Sequence, residues 1–184
     1  MSEASFADMM VAEMPYLRAF ALSLSGSAAF ADDLVQETLV KAWSSLDSFA
    51  EGTNLTAWLF TILRNTFYSG VRKRRRDIAD PDGVHTATLF EKPAHDGRLA
   101  MTDFMAAFNQ LSPVHREVLI LVGASGFSYE EAAEMTGVAV GTVKSRASRA
   151  RLRLALRVAQ RQQHLHQVHR GRARPAGSAA APQA

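Results

Sequence analysis

The chain has 184 residues, 47% hydrophobic side chains and 21% charged ones, enough for one ordinary domain or two small ones with modest cores. It contains no cysteine, which excludes disulfides, thiolate nucleophiles and cysteine-ligated zinc, and it has neither an 18-residue apolar run nor a secretory start, so a cytoplasmic location is expected. The net charge of +3 hides an asymmetry: residues 1–143 carry 11 Lys and Arg against 18 Asp and Glu, whereas residues 144–184 carry 10 against none. Such a segment suits a polyanion, and because it lacks aromatic residues it suits nucleic acid better than a membrane surface.

Helical periodicity dominates, so the expected fold is all-α, with two small helical domains joined by a linker. A first helix is expected from about Asp8 to Ser25, ended by Gly26. A second runs from Ala29–Asp32 to Phe49, with Val35, Leu39, Ala42, Trp43, Leu46 and Phe49 on its inner stripe. Asp33, Gln36 and Glu37 fall on the opposite face; on physical grounds alone, such an acid pair is more often a solvated surface than a partner site.

A third helix starts after Asn54, a capping residue, and carries Leu55, Trp58, Leu59, Ile62 and Thr66 inward before the basic run Arg72–Arg76. Phe60, Arg64 and Phe67 then point away from that stripe. Exposed aromatics beside cations suit single-stranded nucleic acid, the alternative being that the two phenylalanines pack on the first helix. A basic run can also be a nuclear address or a nonspecific patch, but here it ends a well-formed helix.

Residues 78–100 lose periodicity and read as a linker between a first domain at 8–77 and a second at 101–160. In the second domain Phe104, Phe108 and Leu111 are followed by a helix opened by Ser112 and Pro113, with Val114, Val118, Leu121 and Val122 buried. Ser128 to Glu131 form a capping box, and the helix they open ends at Gly137. A last helix from Val140 to about Arg161 buries Val143, Ala147, Ala150 and Leu154 and turns Lys144, Ser145, Ser148 and Arg149 outward. Two helices across a Gly-containing turn, the second one basic, make a helix-turn-helix whose outer face offers donors to base edges and phosphates. Residues 161–184 are expected to be a disordered basic, Ala- and Pro-rich tail; His164, His166 and His169 there could bind a metal but suit a solvated tail better.

Both clusters resemble the sigma factors. Asp32 to Thr38 with Ala42 and Trp43 is similar to the core-polymerase-binding segment, region 2.2. Ala57 to Leu59 with Ile62, Arg64, Asn65 and the basic block is similar to regions 2.3 and 2.4, and Phe127 to Arg151 to region 4.2. The short linker implies the extracytoplasmic-function group. Gly52 to Asn54 with Trp58 to Asn65, and Val122 to Tyr129, are most similar to the alphaproteobacterial general-stress-response sigma factors. Ala139 stands where many relatives carry a capping serine.

The resemblance implies a non-enzymatic subunit, without cofactor or metal, that binds core RNA polymerase and directs promoter-specific initiation, here of stress-response genes. Asp33, Gln36 and Glu37 would meet the clamp helices of the largest subunit. Asn54, Arg64, Asn65, Phe67 and Arg72 would meet the −10 element, and Thr142, Lys144, Ser145, Arg146 and Arg149 the −35 element. An anti-sigma factor is expected as a further partner, with Leu152 and Leu156 on the outer face of the last helix as its apolar footing. The competing readings are a DNA-binding regulator that works without polymerase-dependent melting and a metal-dependent nuclease, the latter without any clustered ligand spacing.

Overall fold

The computed structural model describes residues 3–77 and 96–172; most of the expected linker and the last twelve residues lie outside the described part. The first domain consists of α1 (Glu3–Ser25), α2 (Ala28–Ser44), a 3₁₀ turn (Leu46–Ser48) and α3 (Leu55–Asp77). The second consists of α4 (Asp96–Asn109), α5 (Pro113–Val118) with a π-helical continuation (Leu119–Ala124), α6 (Tyr129–Thr136) and α7 (Val140–Arg172).

Local chemistry sets the boundaries. Gly26 takes a left-handed conformation, φ 72°, that closes α1. The Ser27 side chain then accepts from the Phe30 N–H to open α2. Asn54 caps α3 by accepting from the Ala57 N–H at 3.1 Å. The capping box at the start of α6 is complete, and Gly137, φ 66°, ends that helix. At α5, by contrast, Ser112 makes no capping bond; Pro113 occupies the first turn, and the serine hydroxyl lies 2.8 Å from His115 Nδ1. Several bounds differ from expectation: α1 begins at Glu3 and not near Asp8, and α2 stops at Ser44, with the 3₁₀ turn following it instead of a helix running to Phe49. Helix α4 begins at Asp96, inside the expected linker, and α7 runs on to Arg172, because nothing before Pro175 forbids continuation.

In the first domain α1, α2 and α3 pack on one another around Leu17, Phe20, Leu24, Leu34, Leu59 and Leu63. Phe6 anchors one end, its ring centroid 5.9 Å from Phe49 and 6.2 Å from Trp58. In the second, α4, α5 and α6 each pack on α7, with Val118, Leu121, Ala132, Val143, Ala147 and Ala150 buried. The small alanines let α7 approach its neighbours closely. Trp43, expected inside, is instead 45% exposed.

The two domains share one core. Helix α1 packs on α5 and α3 on α6, and Phe127 closes over Phe60 with ring centroids 5.9 Å apart. Phe60 in turn stacks on Phe20 at 4.5 Å and 9°. A stacked pair of this kind adds about 0.5–1.5 kcal/mol beyond its buried area.

Candidate nucleic-acid interface

Helix α7 presents its basic face as its periodicity predicts. Val143, Ala147 and Ala150 are buried, while Lys144, Ser148 and Arg149 are exposed and Ser145 and Thr142 are half-buried. The Arg149 guanidinium folds back on Ser145, donating from Nε to the carbonyl at 3.2 Å and from Nη2 to the hydroxyl at 3.0 Å. The hydroxyl of Ser145 itself donates to the Thr142 carbonyl at 2.9 Å. Arg149 and Ser145 thus form one exposed donor unit, and both contacts are cheap to exchange for a base or phosphate acceptor. Lys144 lies 3.7 Å from Glu130 of α6 and over the Tyr129 ring, a loose, solvent-exposed pairing that costs little to give up. Arg146 differs from this set. It is half-buried, and its charge acts on Tyr68 of the first domain and on Glu117 of α5.

On α2, Asp33, Gln36 and Glu37 are all exposed, as expected. Glu37 pairs with Lys41 at 2.7 Å along the same helix, an exposed contact of little energetic consequence. Val40, 68% exposed, and Trp43 continue the stripe one turn on, so this face grades from acidic to apolar.

The expectations for α3 need correction. Phe60 and Phe67 are 2% and 5% exposed, so neither offers a stacking platform. Phe67 meets Phe30 of α2 edge-on at 6.2 Å, and Phe60 lies between Phe20 and Phe127. The physical reason is that α3 is covered on several sides, by α1, α2 and α6, and therefore has more buried surface than a single stripe. Asn54, Asn65 and Arg72 remain exposed, with Arg72 donating to the Ser69 hydroxyl at 3.1 Å.

Arg64 is held by the second domain. Its Nε lies 2.7 Å from Oε1 of Glu117, whose side chain has no exposed surface, while Arg64 keeps 19% of its own. The contact is an ion pair whose N–H is poorly aligned, so neither atom completes a hydrogen bond there. Tyr68 donates to Glu117 Oε2 at 3.2 Å, and the Arg64 guanidinium lies 5.0 Å from the Tyr68 ring centre. Burial raises the Glu117 pKa, opposed by the Arg64 charge, and raises that of the Tyr68 hydroxyl, reinforced by Glu117. Next to Glu117, buried Arg116 donates from Nη2 to the Leu24 carbonyl at 2.7 Å and from Nη1 to the Asn109 carbonyl at 3.1 Å. One guanidinium therefore satisfies free carbonyls at the C-terminal ends of α1 and α4, where a cation is favoured.

Sequence reasoning missed Arg116 and Glu117. The signal was present, since Glu117 interrupts the apolar stripe formed by Val114, Val118 and Leu121. A charged residue on a buried stripe requires a partner.

Comparison with known proteins agrees with both halves. Residues 9–77 match the profile for Sigma-70 region 2, and residues 101–154 that for Sigma-70, region 4. The chain is 56% identical over 151 residues to the ECF RNA polymerase sigma factor EcfG of Rhodopseudomonas palustris, covering 82% of this chain and 83% of that one. This chain belongs to the extracytoplasmic-function sigma factors. The more distant SigE of Mycolicibacterium smegmatis is 36% identical over 140 residues, which are 73% of this chain and 54% of the relative. Among solved structures, the sigma factor RpoE of Bartonella quintana, crystallised with the anti-sigma factor NepR, is 54% identical. It superposes with a TM-score of 0.76 over 84% of this chain and 97% of that one.

As a sigma factor the chain binds RNA polymerase and directs promoter-specific transcription initiation, with region 4 supplying DNA binding. Among the described residues no helix is long and apolar enough to cross a membrane, and no group of His, Asp and Glu has the grouping of a metal site.

Proposed function

We propose that this sigma factor reads the −35 element with Lys144, Ser145 and Arg149, supported by Thr142 and Arg146 at the helix start and phosphates. Asp33, Gln36 and Glu37 meet the clamp helices of the largest polymerase subunit, and Asn54, Arg64, Asn65 and Arg72 hold the melted −10 strand. Phe67 supports the last surface from within the core. The chain performs no chemistry of its own and works in the cytoplasm. The observation that carries this reading is the outward set Lys144, Ser145 and Arg149 on a helix whose opposite face is buried.

In the arrangement described, Arg64 turns its Nε to Glu117 and its Nη1 to Asn65, so only part of its guanidinium is open to DNA. The two domains must therefore separate before the −10 surface is complete, and a protein that holds them together silences the factor. The relative crystallised with NepR supports such a partner for this chain and a role at stress-response genes. Leu152 and Leu156, 61% and 55% exposed, offer that partner an apolar footing on α7. The test adds the protein to sigma-free core polymerase and maps start sites. Start-site-specific transcripts that disappear when Lys144 and Arg149 are both replaced by alanine support the reading; transcripts unchanged by that replacement refute it.

A further inference from the structure

A second basic group flanks the α7 reading face. His115, half-buried in the first turn of α5, faces α7, where Arg149 and Arg153 are exposed one turn apart. Its Nδ1 lies 2.8 Å from the Ser112 hydroxyl and 3.4 Å from Arg153 Nη1. With a guanidinium as one of those neighbours, Nδ1 is the acceptor, and the ring proton sits on Nε2, on the far side of the ring. The charged groups facing the ring are Arg153, Arg149 and Arg146, all cations. Among the described ion pairs neither Arg149 nor Arg153 has an acidic partner. The π-helical turn carries no titratable residue, and the polar contact described between α5 and α1 runs through Arg116 to a backbone carbonyl. Arg149 and Arg153, two cations without an acidic partner among the described ion pairs, are destabilised by one another, and an anion between them removes that cost.

We infer that His115, Arg153 and Ser112 form a seat for one backbone phosphate of the duplex beside the −35 contacts, and that His115 takes up a proton when that phosphate binds. The inference rests on the −35 reading above and adds a ligand and a linkage to it. The proton accounting is direct. Protonation at Nδ1 ends its role as acceptor: Ser112, whose hydroxyl can also accept, reverses its bond, and Arg153 is released toward the phosphate. Both ring nitrogens then donate, and the added charge lies beside an anion instead of among cations. In the free protein, burial first and then Arg153, Arg149 and Arg146 hold the imidazole below its usual pKa, so at neutral pH it is uncharged and ready for that change. A bound phosphate raises the value, and duplex affinity consequently increases as pH falls through the bound-state value.

The test uses holoenzyme assembled from core polymerase and either wild-type or His115→Gln protein. Each is titrated with a labelled −35 duplex at several salt concentrations at about pH 6 and about pH 8. Wild-type affinity is expected to rise toward the lower pH, by up to about tenfold per pH unit while one proton is taken up. His115→Gln should lose that response and lower the salt slope by about one, with its ranking of mutated −35 duplexes intact. Arg153→Gln should act in the same way, and a neutral methylphosphonate at one position of the duplex backbone should remove the wild-type response. A His115→Gln holoenzyme that keeps both the pH response and the salt slope overturns the phosphate seat. Failure of the underlying reading looks different: wild-type holoenzyme would not distinguish −35 from scrambled duplex, and the seat would fall with it.

Discussion

Replacing Glu117 by alanine should open the two domains without unfolding either. The carboxylate has no exposed surface and meets Arg64 at 2.7 Å and Tyr68 at 3.2 Å, so its loss leaves the Arg64 Nε and the Tyr68 hydroxyl, both of the first domain, without this partner. Truncating one member of a fully buried ion pair costs about 3–5 kcal/mol, whereas a single hydrogen bond to a charged group contributes about 1.5–3 kcal/mol. Arg64 retains 19% exposure and can rehydrate, which favours the lower range. A loss of about 2 kcal/mol changes the ratio of closed to open molecules by roughly 30-fold. Because the chain has no cysteine, dye pairs can be placed through single cysteines at exposed Asp47 and Ala155, one in each domain. Energy transfer between them should fall in Glu117→Ala, and affinity for a single-stranded −10 oligonucleotide should rise as Arg64 is freed. The sign of the pH effect also follows. Burial raises the Glu117 pKa, so the closed form binds the proton more tightly than the open one, and closure weakens as pH rises through the closed-state value. Energy transfer and oligonucleotide affinity that both match wild type in Glu117→Ala would refute the latch.

Three further outcomes are expected. Asp33→Ala with Glu37→Ala should weaken binding to core polymerase in a pull-down titration while leaving the melting temperature nearly unchanged, since both side chains are exposed. Arg149→Ala should cost about 1–3 kcal/mol on a cognate −35 duplex and relax preference at one base pair, read by titrating wild-type and mutated duplexes. Ser128→Ala should destabilise the second domain by about 1 kcal/mol, because it removes the cap that accepts from the Glu131 N–H, as thermal melts would show. The reciprocal bond holds the Glu131 carboxyl below its usual pKa, so the cap is intact above the ordinary carboxylate range and lost as pH falls through the lowered value.

The second domain was largely legible in the sequence because one rule governs it. Helix α7 has one buried face, and a 100° wheel finds Val143, Ala147 and Ala150 and, by subtraction, the outward Lys144 and Arg149. Helix α3 resisted the same rule. Of its expected inner stripe Leu59 and Thr66 are buried, but Phe60, Leu63 and Phe67 are buried as well, against neighbours that periodicity cannot reveal. Arg64 lies outward of the α3 stripe, as the wheel places it; what occupies that space is a residue 53 positions further along the chain. Pairing across that distance leaves no local trace except the oddity of Glu117 on an apolar stripe.

The π-helical turn at Leu119–Ala124 makes the link between α5 and α6 sensitive to chain length. Its Ser125 N–H reaches back five residues to the Ile120 carbonyl at 2.8 Å, and the Phe127 N–H reaches the Leu121 carbonyl at 3.0 Å. A turn of this kind amounts to one residue inserted into an α-helix. Deleting a single residue from it would let an ordinary helix form, rotating everything beyond by about 100° and turning Phe127 away from Phe60. Point substitutions among Leu119, Ile120 and Val122 should therefore be tolerated more readily than any shortening. Homologues that keep the two domains in contact should vary in side chain across this stretch while holding its residue count fixed.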